Sequence, residues 1–542
     1  MCGFVFARLK QPPPAPQLEG AYRFLRRRGP DHSGQQLAQD ASGHYLLFAH
    51  HLLDISGQAV RQPLNWPPQS APGAGATTLA AVGQGEEEVG VTAPAGPPAP
   101  AAGGSLERSG PRYSLLFNGE IYNYASLDPQ ATADSLMLLP LFERLGPGLW
   151  PLLDGEFAIV VFDHWRQQLH LAADPFLTKP FCLGVNPGSS EIGVASYPSS
   201  LQALGFQDIR FLEPNQSQLI QLHAAGWEVL QQATIQPFDL HQSVNNFDAW
   251  EESFLEAVRK RALHGNHPIV VPLSGGYDSG AICLALNLLG IEYHTISMPA
   301  NENEEMLRQR IARNRRASCR SAVLLSPLQT PWRLAIRAKL ETHCEPYIYE
   351  HEPISMFEDE GTYGAYCVSE EAGLRGWLVA LSGCGADEIV SDYGHGGVKF
   401  YPHSEFGGLF PERLEGFFPW KKFYSDSMRS YLFKDELVLG ANGLEGRYPF
   451  LDRQVVQSFL SLTPALKNSA YKAPIAAFLR RHHYPFEAGV KRGFQPMGGR
   501  PGLRQRLGRL LRKLRLGGFR AGQSPSGGEP LSGGRTGVGP EA

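Results

Sequence analysis

Pro268-Ile269-Val270-Val271-Pro272-Leu273-Ser274-Gly275-Gly276-Tyr277-Asp278-Ser279 is the stretch whose reading decides the fold. A β-branched apolar run enters a glycine turn, and Gly280-Ala281-Ile282-Cys283-Leu284-Ala285-Leu286 follows with a composition that suits a helix better than a strand. A strand that passes through a Gly-rich turn into a helix is a phosphate cradle. The turn's backbone N–H groups have no intrachain partner, and the helix N-terminus adds partial positive charge. Ser274 and Ser279 add hydroxyls, and Asp278 is a hard oxygen ligand suited to the Mg²⁺ that travels with polyphosphates. The other common phosphate loop, G-x-x-x-x-G-K-[ST], is absent, because the chain has no Gly-Lys dipeptide. Ser-Gly-Gly-x-Asp-Ser alone also fits a serine-capped turn with a solvated aspartate. The buried-type strand ahead of it favours the phosphate reading.

Outward from this loop, 542 residues exceed one ordinary core and predict two domains, and 42% hydrophobic content supports globular folding. A formal charge of −4 gives no electrostatic reason to propose a nucleic-acid partner. No apolar run approaches the ~18–20 residues of a membrane span. Pro12-Pro13-Pro14 falls where a secretory signal would be apolar, so a soluble cytoplasmic protein is expected. The seven cysteines, at 2, 182, 283, 319, 344, 367 and 384, include no C-x-x-C pair, which argues against a disulfide framework or a structural zinc site. His50-His51 and His482-His483 lack ligand spacing and read as surface or satisfied histidines.

At the amino terminus, Met1-Cys2-Gly3-Phe4-Val5-Phe6 puts a thiol second. Once Met1 is removed, Cys2 also carries a free α-amine with pKa of about 7.7–8, able to accept the thiol's proton near neutrality. Arg28-Gly29-Pro30-Asp31, Asn118-Gly119-Glu120-Ile121-Tyr122-Asn123 and Asp154-Gly155-Glu156-Phe157-Ala158 follow. These motifs, in this order across roughly residues 1–205, resemble a class II glutamine amidotransferase domain. The resemblance implies an αββα sandwich of the amino-terminal-nucleophile hydrolase type, with Cys2 attacking the side-chain amide of glutamine. It implies an oxyanion hole made of the Asn118 side chain and the Gly119 N–H, and places Glu120 and Asp134 on the substrate's α-amino end. One departure is visible: the family's His-x-Arg-Leu-x-Ile reads His50-His51-Leu52-Leu53-Asp54-Ile55. Leu52 cannot grip an α-carboxylate as arginine does. Another cation must substitute, or free ammonia is the working nitrogen source. Between Pro63 and Arg112 a Pro/Ala/Gly-rich tract has neither helical nor strand period and reads as a disordered insertion. Pro214 to about Ser243 reads as a last strand and linker.

In the carboxyl-terminal half, Glu292-Tyr293-His294-Thr295-Ile296-Ser297-Met298 predicts the next parallel strand, with ligands at the strands' carboxyl ends. Trp377-Leu378-Val379-Ala380-Leu381 then Ser382-Gly383-Cys384-Gly385-Ala386-Asp387-Glu388 repeats strand, glycine turn and acid at a helix start. The Ser274 loop resembles the pyrophosphate loop of ATP pyrophosphatases. Glu445-Gly446-Arg447-Tyr448-Pro449-Phe450-Leu451-Asp452 is very similar to the Glu-x-Arg-x-Pro-Phe-Leu-Asp signature of asparagine synthetases. That resemblance implies nucleotide contacts from Leu273, Ser274, Gly275, Gly276, Asp278, Ser279, Ser297, Ser382 and Gly383. It assigns Mg²⁺ to Asp278 and Asp387, and charge stabilisation of the departing pyrophosphate to Lys472, which otherwise reads as an exposed lysine. A second departure is Cys384, at the glutamate of the family's Ser-Gly-Glu-Gly. A thiol of pKa near ~8.5 replaces that carboxylate poorly, and Glu350, Glu352 or Glu388 could supply an acid instead. Arg308 to Arg320 reads as a solvated basic face. Leu503, Leu507, Leu510, Leu511 and Leu514 predict a closing amphipathic helix.

The expectation is therefore an α/β two-domain chain. Residues 1–215 form the glutaminase sandwich with an insertion near 66–112. Residues 240–516 form a parallel-sheet ATP-pyrophosphatase-type domain with a helical carboxyl-terminal part, and residues 517–542 a disordered tail. The family's chemistry is ATP-dependent amidation of aspartate through an acyl-adenylate, with ammonia from glutamine, using ATP and Mg²⁺. The alternatives are another carboxylate acceptor or a weakened binding homologue. Neither nucleic acid nor membrane is a partner in this reading, and a homodimer is compatible with it.

Overall fold

The computed structural model describes residues 2–55, 59–67, 110–298, 303–314, 319–323 and 330–491. Most of the insertion, the leucine-patterned basic segment and the tail lie outside them. The amino-terminal half is built on two six-stranded antiparallel sheets. The first sheet runs Asp208–Phe211, Cys182–Val185, Ile192–Ala195, Gly3–Leu9, Tyr45–Leu52, His32–Gln39. The second runs Trp227–Thr234, Gln216–Leu222, Gln168–Ala173, Gly155–Asp163, Tyr113–Ile121, Leu64–Trp66. Phe6, Phe48 and Phe162 interdigitate between them, with ring centroids 5.1 and 5.7 Å from Phe6. Helices Ala15–Tyr22 and Pro198–Ala203 pack outside the first sheet, and Asp134–Leu145 outside the second. A strand covered on both faces buries every residue, which is why Gly3–Leu9 is apolar throughout except for Arg8, whose buried guanidinium is paired with Asp40. The segment expected to hold a single strand and a linker contributes two strands, Gln216–Leu222 and Trp227–Thr234, so the second sheet extends past residue 215.

The carboxyl-terminal half centres on a five-stranded parallel sheet in the order Ser321–Val323, His294–Ser297, Ile269–Pro272, Val379–Leu381, Glu445–Arg447. Ile269–Pro272 lies in the middle and feeds helix Tyr277–Leu289, whose residues 279 to 286 are all buried. Gly290, at φ 69°, closes that helix in the left-handed conformation open to glycine. The opening stretch is thus the central crossover of its domain.

Candidate active centres

Both centres rest on short loops held by residues distant in sequence. Cys2 is half-buried, unpaired in any disulfide, and directly precedes Gly3–Leu9, a central strand of the first sheet. Its N–H donates to Asn118 Oδ1 at 3.0 Å, and its carbonyl accepts from Arg28 Nε at 2.6 Å. Arg28 continues to Tyr197 Oη at 3.1 Å and Glu436 Oε2 at 2.5 Å. Arg-Gly-Pro-Asp therefore anchors Cys2 to a helix of the other half, and Gly29 is required because a Cβ there would stand 2.2 Å from the His51 carbonyl. Burial pushes the Cys2 thiol up to about 11, against the pull of the chain's amino terminus and the Leu53 N–H. Asn118 Nδ2 is buried without a hydrogen-bond partner. Gly119 has φ 135°, and a Cβ on it would fall 1.9 Å from the Glu156 carbonyl.

Glu120 is buried and engaged. His264 Nε2 lies 2.5 Å from Oε2, and Arg447 Nη2 lies 3.7 Å from Oε1. Asp134 accepts from the Ile121 and Ser135 N–H groups at 2.9 and 2.6 Å, and burial, then the Glu120 charge, raise its pKa to about 7. Arg447 Nη2 has no hydrogen-bond partner, while its Nε is bonded to Glu445 at 2.6 Å. Leu52 is buried at the end of its strand and offers no donor from its side chain. His50 and His51 are buried, not surface, and are satisfied by the Phe117 carbonyl and Ser33 Oγ at 3.1 and 2.9 Å.

In the second centre, Ser274 Oγ lies 3.0 Å from Ser279 Oγ and accepts the Gly276 N–H at 3.1 Å, while the Leu273 N–H donates to the Ile296 carbonyl. The basic segment departs from the solvated reading. Arg310, from Glu304–Arg313, is 1% exposed and donates to the Ser274, Gly276 and Pro485 carbonyls at 2.6, 2.7 and 2.8 Å. It braces the outside of the loop, and nothing in its local sequence distinguishes it from the arginines around it. Ser297 Oγ is buried without a partner at the end of the neighbouring strand.

The Ser382 loop meets the Ser274 loop directly, since a Cβ on Gly383 would lie 2.7 Å from the Asp278 Cβ. Lys472 is 2% exposed, not a surface lysine. Its Nζ donates to Asp278 at 2.6 and 2.8 Å and lies 3.0 Å from Asp387 Oδ1. Lys491 Nζ closes the group on Asp387 Oδ2. Burial raises the Asp278 pKa, with Lys472 opposing it, whereas the two ammonium groups draw Asp387 well below the usual carboxylate range. Two carboxylates of hard oxygen type face two ammonium groups at the mouth of a glycine cradle, a donor set that fits a divalent cation and a polyphosphate together.

Of the three glutamates considered, two are engaged by other groups. Glu350 lies elsewhere, bonded to the Asp426 and Ser430 backbone and side chain, and Glu388 is held by Tyr393 Oη. Asp435 of helix Ser427–Ala441 is the carboxylate bonded to the Cys384 thiol. Its Oδ2 accepts from Ser382 Oγ at 2.6 Å and from Cys384 Sγ at 3.1 Å. Helical spacing puts Asp435 on the loop and Glu436 on Arg28, but which loop the helix faces is a tertiary matter.

The chain matches two family models, one described as a glutamine amidotransferase domain over residues 101–246 and one described as asparagine synthase over 249–440 and 422–520, half of the chain. Over 396 residues it is 27% identical to a probable asparagine synthetase [glutamine-hydrolyzing] of Acanthamoeba polyphaga mimivirus, covering 65% of this chain and 66% of that one. It is 26% identical over 395 residues to the asparagine synthetase [glutamine-hydrolyzing] of Gallus gallus, covering 65% of each. The matched segment thus spans just under two thirds of these relatives' length. Among solved structures it is similar to a glutamine phosphoribosylpyrophosphate amidotransferase from B. subtilis, with 13% identity, TM-score 0.30, and 59% of this chain and 81% of that one covered. NMN synthetase from Francisella tularensis is another, at 10% identity and TM-score 0.19, covering 46% of this chain and 100% of that one.

Proposed function

Because this chain belongs to the asparagine synthase family, we propose that it is an ATP-dependent amide-forming ligase that converts aspartate to asparagine with nitrogen from glutamine. The observation that carries the proposal is the convergence of the Ser274 and Ser382 loops on Lys472 through Asp278 and Asp387. In the first centre the Cys2 sulfur attacks the glutamine amide carbon and its proton passes to the α-amine exposed by loss of Met1. The oxygen that gains charge is assigned to the Gly119 N–H and to Asn118 Nδ2, which is buried without a hydrogen-bond partner. The α-ammonium returns that proton to the leaving nitrogen, ammonia departs, and water hydrolyses the thioester. Glu120 and Asp134 take the substrate's α-amino group, for which His264 must move off Glu120. Arg447, whose Nη2 lies 3.7 Å from Glu120 Oε1, is the arginine at this subsite and stands in for the one missing at Leu52.

In the second centre an acceptor carboxylate oxygen attacks the α-phosphorus of ATP, expelling pyrophosphate onto Lys472 and Lys491. Mg²⁺, held by Asp278 and Asp387, would neutralise the pyrophosphate oxygens. The Ser274, Gly275, Gly276, Ser279, Ser382 and Gly383 turns supply backbone and hydroxyl donors, and Leu273 and Ser297 flank the nucleotide. Ammonia then attacks the acyl-adenylate carbonyl, AMP departs, and the proton released goes to a carboxylate, for which Asp435 is placed beside Cys384. A second reading keeps the chemistry and changes the acceptor. It rests on Cys384, which stands where the family carries a glutamate and whose Sγ donates to Asp435 Oδ2 at 3.1 Å and to the Tyr431 carbonyl at 3.6 Å.

Product analysis from ATP, Mg²⁺, glutamine and aspartate tests the proposal. Asparagine, AMP and pyrophosphate in equal amounts are expected. Pyrophosphate release with another acid in place of aspartate moves the assignment to the second reading, and none with any acceptor refutes both.

A further inference from the structure

Six arginines are buried among the described residues: Arg8, Arg28, Arg261, Arg310, Arg429 and Arg447. Five are held by carboxylates or by several carbonyls, although Arg447 keeps its Nη2 without a hydrogen bond. Arg429 is the exception. It is 4% exposed, its Nη1 has no partner, and its Nη2 reaches only the Tyr424 carbonyl at 3.5 Å, the outer limit of a hydrogen bond. Its plane lies over Phe433 at 5.0 Å. Five N–H donors and a full charge left this way are costly unless something else meets them.

That guanidinium lines a cleft of about 540 Å³ between the two halves, within the size range of small-molecule sites. One wall is the chain from Phe211 to Gln216 and the other includes Pro419, Tyr424 and Ser425. Glu350 and Glu213 also line it. Both act electrostatically on Arg429, yet neither comes within the 4.0 Å of an ion pair. Glu350 Oε2 accepts the Asp426 N–H at 2.9 Å, which leaves Oε1 for a ligand. The Asn215 amide nitrogen is spent on the Gln236 carbonyl and Tyr424 Oη. A simple anion would satisfy the guanidinium and oppose two carboxylates. A zwitterion meets both charges.

We propose that this cleft binds a free α-amino acid, its carboxylate on Arg429 and its ammonium on Glu350 and Glu213. The ligand would bridge the sandwich to the helix Ser427–Ala441 that carries Asp435 and Glu436, so its occupancy would modulate amide formation. Only that last effect rests on the function proposed above; the binding itself does not.

Isothermal titration of the full chain with single L-α-amino acids, with succinate and inorganic phosphate as controls, tests this. The expected result is one equivalent of an amino acid bound at least tenfold more weakly by R429Q and by E350Q, and equally by C2A and D278N. E350Q keeps the arginine and an oxygen for the Asp426 N–H, and circular dichroism with thermal melting reports whether R429Q is folded. Binding that survives R429Q but is lost in C2A or D278N would place the ligand in a catalytic centre and overturn the proposal. Phosphate or succinate binding as tightly as the amino acid, or no Arg429-dependent heat from any probe, would overturn it equally.

Discussion

Glu436→Gln removes one negative charge from the junction of the two halves while keeping the side chain's shape. Glu436 is fully buried, with Oε2 2.5 Å from Arg28 Nη2 and Oε1 3.2 Å from Lys179 Nζ and 2.8 Å from Tyr448 Oη. The amide retains one acceptor and turns an NH₂ toward a cation. Lys179 keeps Glu156 at 3.4 Å, but Arg28 is left with no carboxylate among the contacts described above. Breaking a buried pair from one side costs about 3–5 kcal/mol, and the surviving Lys179 contact argues for the lower end, about 3 kcal/mol. Unfolding of two packed halves is not all-or-none, so the quantity to read is the midpoint of the first transition in guanidinium chloride. Arg259→Ala is the control: its 2.6 Å pair with Glu256 is half-exposed at both ends, and its loss is expected to stay within about 0.5 kcal/mol. If Glu436→Gln shifts the midpoint no more than Arg259→Ala, the charge network is not what joins the halves.

Asn118→Ala is expected to lower glutamine hydrolysis by ~10²–10³ while ammonium-dependent amide formation survives; equal loss of both would show a folding defect instead. Asp435→Asn should cut amide formation by ~10²-fold or more without weakening ATP binding, and activity within threefold of the parent would refute its role. Arg310→Met frees the Ser274 and Gly276 carbonyls, so the KM for ATP is predicted to rise about tenfold, roughly one charge-assisted hydrogen bond; an unchanged KM removes the bracing role. The fourth prediction concerns pH. Despite burial and Arg447, Glu120 and Asp134 leave the His264 pKa raised. The His264–Glu120 pair is therefore fully formed below the ordinary histidine pKa of about 6.5 and is lost as pH rises through the higher folded value. Because that pair covers the α-amino subsite, the KM for glutamine should fall between pH 6.5 and 8.5, and His264→Gln should leave only the part due to Asp134, whose pKa is raised to about 7. A parent profile already flat would sink the idea.

What sequence by itself determined about this chain is local. Strand, glycine turn and helix at Pro268–Ser279, the second such unit at Ser382, and Cys2 with Asn118-Gly119-Glu120 are legible because each packs its backbone demand and its side-chain chemistry into a few adjacent residues. The burial of Gly3–Leu9 likewise follows from its apolar run except at Arg8, whose burial depends on Asp40. The tertiary structure alone decided the rest. Arg310 under the phosphate loop, Asp435 beside Cys384, His264 on Glu120 and unpaired Arg429 in its cleft each depend on a side chain 34 to 144 positions from its partner, or on having none. No local period encodes such a meeting. A buried charge is placed by which helix face the fold turns inward, and the same arginine or aspartate on the opposite face would simply be hydrated.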